Sequence, residues 1–127
     1  MESQYDKGLA LRRKAMGEEY VSKALANATA FTQPIQEAIT RRAWGETWQR
    51  DGLDLRTRSL VTVAMLIGQG NSHELKAHVR GALNNGATVL EIQEVLLHAS
   101  VYRGFPAAVD AFRAAAEVID GADPGGR

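Results

Sequence analysis

Residues Gly70–Gly81 read GNSHELKAHVRG and hold two histidines with a carboxylate between them. The stretch invites comparison with the zinc-protease helix H-E-x-x-H, whose histidines lie four apart and share one face. Here His73 and His78 lie five apart. At about 100° per residue they diverge by about 140°, too far to share an ion on a straight helix, whereas Glu74 and His78 diverge by about 40°. A metal would need a third ligand from elsewhere, so no metal site is expected. His78 then reads either as a partly buried structural histidine or as a proton-transfer group with Glu74 on its face. Arg80 falls on another face, and His98, set in VLLHASVY, reads as structural.

Other residues carry chemical potential. Trp44 and Trp48 flank Glu46 in AWGETW. A carboxyl group held in that apolar wall would be disfavoured as an anion, the condition for a proton donor or acceptor near neutrality. Two core aromatics around a surface acid are the alternative. Arg56 and Arg58 fall in the first turn of a helix, where the dipole favours anions, so an anionic ligand could complete the site. Ordinary ion pairs with Asp51 or Asp54 are the alternative. Tyr102, in YRGFPAA, offers a hydroxyl to orient a ligand or simply a core ring.

The elements that must position these groups read as helices. Tyr5–Met16 is a first helix stopped at Gly17, and a second runs from about Glu18 to Asn27. Thr32 caps a third, with Pro34 in its first turn, and it continues to about Trp44. GETWQRDGLD is a break. Asp54 caps a helix whose body, SLVTVAMLIG, is apolar all round and is therefore expected at the buried centre. Ser72 caps the next helix and Asn84–Gly86 closes it. Thr88 and Glu91 form a capping box for a helix to about Tyr102. Gly104 and Pro106 precede a last helix, PAAVDAFRAAAEVID. Residues 1–120 are expected as one all-α domain of about six helices, with 121–127 a flexible tail.

Composition sets the outer bounds. Fifteen basic residues balance fifteen acidic ones among 127, which argues against nucleic-acid binding and permits self-association. There is no cysteine, so disulfides, thiolate nucleophiles and thiol redox chemistry are excluded. The first residues hold no apolar signal core. The longest apolar run, Leu60–Gly68, is well short of the ~20 residues a membrane helix needs. A soluble cytoplasmic protein with no membrane partner is expected.

The segments YDKGLALRRKAMGEEYV, NATAFTQPIQEAITRRAWGETW, LDLRTRSLVTVAMLIGQG, HELKAHVRGALNNGAT and EIQEVLLHASVYRGFPAAVDAF together resemble the carboxymuconolactone decarboxylase family, part of the alkylhydroperoxidase-D-like superfamily. The W-G-x-x-W and H-V-R-G-A-L-x-N-G elements are the more specific. The redox branch of that superfamily carries a Glu, a C-x-x-C pair and a His four residues on. Laid through His78, the cysteines fall on Asn71 and Glu74 and the acid on Ser59, so only His78 matches and no thiolate exists to attack a peroxide. Asp51 stands where proline is expected in many relatives.

The resemblance implies an alkylhydroperoxidase-D-like helical bundle, a homo-oligomer (trimer or hexamer) and no cofactor. It implies decarboxylation of 4-carboxymuconolactone, a dianionic lactone, to 3-oxoadipate enol-lactone in protocatechuate catabolism, the β-ketoadipate pathway. His78 is then the proton or oxyanion donor, with Glu46 the alternative acid. Arg58 holds a substrate carboxylate, with Arg56, Arg41 or Arg42 as second candidates, and Trp44, Trp48 and Tyr102 supply an apolar wall. Two alternatives stand beside it: a related lyase or isomerase on another lactone or keto acid, and a non-catalytic oligomeric ligand-binding protein of the same fold.

Overall fold

A computed structural model describes residues 2–122, in two compact units that divide after Leu55. All regular structure among the described residues is helical, in agreement with the expected class. The expected tail begins at residue 121, but the last helix runs through Ala122; the rest of that tail lies outside the described residues.

The first unit holds α1 (Gln4–Met16), α2 (Glu18–Ala26) and α3 (Gln33–Ala38), then a π-helical turn (Ile39–Trp44) and a 3-10 turn (Thr47–Gln49). Ser3 and Asp6 cap α1 reciprocally, a pairing the sequence reading missed. Gly17 ends α1 at φ 99°, a conformation that favours glycine. Thr32 does not cap α3. Its hydroxyl instead accepts from the Thr29 N–H at 2.8 Å, while the Thr29 hydroxyl accepts from the Thr32 N–H at 3.2 Å.

The third helix does continue to Trp44, but in π geometry from Ile39. Its carbonyls are met by side-chain amides: Gln4 Nε2 donates to the Arg41 carbonyl and Gln49 Nε2 to the Trp44 carbonyl, each at 2.9 Å. Glycines let α1 approach this turn. A Cβ on Gly8 would lie 2.1 Å from the Thr40 carbonyl oxygen. Beside that contact buried Arg12 donates from Nη1 to Thr40 Oγ1 at 3.0 Å.

The second unit is built from α4 (Leu55–Leu66), α5 (Ser72–Asn84), α6 (Val89–Arg103) and α7 (Phe105–Ala122). One core joins Val63 and Ile67, Leu75, Val79 and Ala82, Ile92 and Leu96, and the alanines 111, 114 and 115 with Val118. Alanine at these α7 positions keeps its contact stripe thin. The Thr88–Glu91 capping box of α6 is present as expected, and Gly86 and Gly104 close α5 and α6 at φ 96° and 97°. The α5 cap is Asn71, one residue earlier than expected: its side chain accepts from the Glu74 N–H at 3.2 Å, and Ser72 is already helical. Helix α4 also departs from expectation. Ser59, Val63 and Ile67 recur every four residues and are buried, but Val61 and Met65 on another face are 38% and 66% exposed.

Candidate functional site

The first unit carries the tryptophan pair and the acid between them. Trp44 is buried and Trp48 half-buried, and their rings stack at 4.1 Å between centroids. Glu46 is exposed. The desolvated carboxyl group expected between two indoles is therefore not formed, because the rings pack on one another and the intervening turn leaves Glu46 in solvent. Arg41 pairs with Glu37 one helical turn back at 2.6 Å. Arg41, Arg42 and Glu37 line a shallow cavity of about 420 Å³.

In the second unit His78 is the half-buried imidazole of α5. Its side chain is 16% exposed, and Nε2 lies 3.9 Å from a carboxylate oxygen of Glu74. That distance is too long for a hydrogen bond, but a proton on the ring would make the contact an ion pair. The shared face of Glu74 and His78 is thus as the spacing predicts. Farther along α5, Asn85 Nδ2 donates to buried Ser59 Oγ at 2.8 Å, tying the end of the helix to α4. Among the described residues no cluster of three His, Asp or Glu side chains could hold a metal.

The arginines of α4 part company. Arg56 is ion-paired with Glu91 of α6, not with Asp51 or Asp54. The pair ties α4 to α6 through one of the guanidinium nitrogens, Nη1. The Glu91 carboxyl sits below the usual value, chiefly because it accepts from the Thr88 N–H, with Arg56 adding to the effect against an opposing push from desolvation. Arg58 is half-buried, and its carbonyl accepts from Thr62 Oγ1 at 2.9 Å.

Tyr102 is 76% exposed and belongs to a different group from His78. It lines a cleft of about 710 Å³ between α4 and α6, with Leu60, Val61, Ala64, Met65, His98 and Arg103 among its walls. The rings of His98 and Tyr102 meet at 5.2 Å, tilted. His98 is exposed here, contrary to the structural role expected: its apolar sequence neighbours fall on other faces of α6. The signal was available, since Glu94, His98 and Tyr102 recur every four residues and mark one helical face.

A family model, the carboxymuconolactone decarboxylase family, matches residues 33–117. The chain belongs to the carboxymuconolactone decarboxylase family. The stretch matched includes both tryptophans, Glu46, Arg56, Arg58, His78 and Tyr102. Two family relatives extend the likeness. The nitrosuccinic acid decarboxylase of Metarhizium robertsii is 53% identical over 107 residues, 84% of this chain and 75% of that protein. The 4-carboxymuconolactone decarboxylase of Acinetobacter baylyi is 45% identical over 118 residues, 93% of this chain and 88% of that protein. Both are decarboxylases by name, in agreement with the carbon dioxide-releasing chemistry expected of this family member. No helix among the described residues is long and apolar enough to cross a membrane.

Proposed function

We propose that the chain is a carboxy-lyase that converts 4-carboxymuconolactone to 3-oxoadipate enol-lactone and CO2. The observation that carries this reading is the likeness to a decarboxylase of that lactone over 93% of the chain. The chemistry requires no cofactor. The bond to the departing carboxylate breaks, its electron pair passes through the ring alkene to the lactone carbonyl, and one proton adds at the α-carbon. The substrate carries its own electron sink. The protein supplies cations for two carboxylates, a donor for the developing oxyanion and an acid for the carbon.

His78 is the acid in this reading, supported by its half-buried position beside Glu74. A positioned acid contributes about 10²–10⁴ in rate and an oxyanion donor about 10²–10³. Arg58 is the proposed carboxylate ligand, with Arg56, Arg41 or Arg42 as second candidates. Trp44 and Trp48 of the first unit stay candidates for an apolar wall and Glu46 for the alternative acid.

The nitrosuccinic acid decarboxylase supports a second reading at 53% identity. Nitrosuccinate is also a dianion, and its nitro group is also an electron sink. There the proton returns to the carbon that lost CO2, whereas in the lactone it lands two carbons away along the ring. One donor position cannot serve both substrates equally. Measuring kcat/KM for each acid with the purified chain decides between them: the lactone is expected to lead, and a higher value for nitrosuccinate would replace it.

The same reading places the protein in the cytoplasm, in protocatechuate catabolism, as one family domain that assembles with copies of itself. Val101, Phe105 and Val109 are exposed apolar residues that support self-association. A monomeric mass by light scattering would remove that part of the reading.

A further inference from the structure

The cleft between α4 and α6 has the make-up of a small-ligand site and is not lined by His78, the proposed acid. Its volume of about 710 Å³ lies within the ~300–1,000 Å³ of small-molecule sites. Leu60, Val61, Ala64, Met65 and Val95 make the walls apolar. The polar groups stand along one helix. Glu94 lies at one end, His98 and Tyr102 follow, and Arg103 lies toward the other end, after about 13.5 Å of helix rise.

Arg103 is held in place. Its Nε donates to the Ile67 carbonyl at 3.1 Å, which fixes the plane of the guanidinium. Gly68, at φ 84°, leaves the room it needs: a Cβ there would lie 3.1 Å from Arg103 Nη2. Among the described residues no carboxylate pairs with Arg103, so its positive charge stands uncompensated at the wall of the cleft. Glu94 repels an anion from the opposite end. The cleft therefore has a direction: an apolar body fits between the helices with its carboxylate toward Arg103.

We propose that this cleft binds a small planar organic acid, with Arg103 holding the carboxylate and His98 and Tyr102 contacting the ring. The reaction's own lactone belongs to that chemical class. The assignment stands on the cleft alone and does not depend on the carboxy-lyase reading.

The test uses the full chain and muconolactone, a lactone monocarboxylate that lacks the carboxylate lost in the reaction. Imidazole ¹H–¹⁵N spectra are recorded during titration, with His98 assigned by the signals lost in His98→Gln. A saturable shift at His98 is expected, with affinity reduced about tenfold or more in Arg103→Gln, the loss of a charge-assisted hydrogen bond. Ala64→Leu fills the wall and should also abolish the shift, so the result does not hang on one variant. A shift confined to His78, or affinity unchanged in both variants, overturns the proposal. So does the absence of any shift combined with a smaller particle mass for Met65→Glu, which would make the cleft an interface between copies. The kcat/KM of His98→Gln then separates the sources: a fall identifies the cleft as the reaction's own site, and no change identifies a distinct ligand site. Failure of CO2 release by the wild-type chain would sink the carboxy-lyase reading and leave the titration intact.

Discussion

Arg56 on α4 is ion-paired with Glu91 on α6, and the same carboxylate accepts from the Thr88 N–H at 2.9 Å to close the α6 capping box. One side chain thus caps a helix and ties it to its neighbour. Both tasks require the anion.

That requirement has a pH consequence. Folding holds the Glu91 carboxyl below its ordinary value of 4.5, so in acid the unfolded chain takes up a proton that the folded chain resists. The stabilisation is complete above the ordinary value and is lost as pH falls through the lowered one. Thermal melts of wild type and Glu91→Gln should therefore converge as pH drops below 4.5. A constant difference between them across that range would contradict the assignment.

The pair also predicts what Arg56 does not do. Arg56→Gln should lower the melting temperature while kcat/KM stays within about threefold of wild type, because a hydrogen bond to a bound carboxylate is worth far more than that. A fall of a hundredfold at unchanged stability would return Arg56 to the substrate.

His78 should behave differently. His78→Gln is expected to lose about 10²–10⁴ in kcat, the contribution of a positioned proton donor. Its circular dichroism and melting temperature should stay near wild type. Glu74→Gln should lose less, since the 3.9 Å contact assists the imidazole without being required for it. Wild-type turnover in His78→Gln would make the histidine structural.

In the first unit the sensitive point is Gly8. Gly8→Ala sets a methyl group 2.1 Å from the Thr40 oxygen and 2.7 Å from the Gly45 nitrogen, both backbone atoms that cannot swing aside. Overpacking of this kind costs about 1–3 kcal/mol or more. Urea unfolding should show it, and an unchanged midpoint would contradict the packing of α1 on the π turn.

What was legible in the sequence was local. Thr88 and Glu91 announce their capping box at a spacing of three, and Gly17, Gly86 and Gly104 mark ends that need positive φ. The residues misread depend on distant partners. The π turn at Ile39–Trp44 takes a hydrogen bond from Gln4, 37 residues before its acceptor, which no periodicity reports. Arg56 has acids nearby in sequence at Asp51 and Asp54, yet the fold delivers Glu91. SLVTVAMLIG is apolar all round, but hydrophobicity alone does not say that one face lines a cleft. Glu46 and His98 fail for the same reason: apolar neighbours in sequence do not guarantee an apolar surrounding in space. The family, by contrast, was legible because it rests on whole segments and not on any one contact.

The most direct test of the central claim is CO2 release from 4-carboxymuconolactone by the purified chain, followed together with the ultraviolet change on enol-lactone formation. The account predicts one CO2 for each lactone consumed, at a rate proportional to protein and far above the spontaneous reaction. Lactone consumed without CO2, or no consumption above the spontaneous rate, would contradict it.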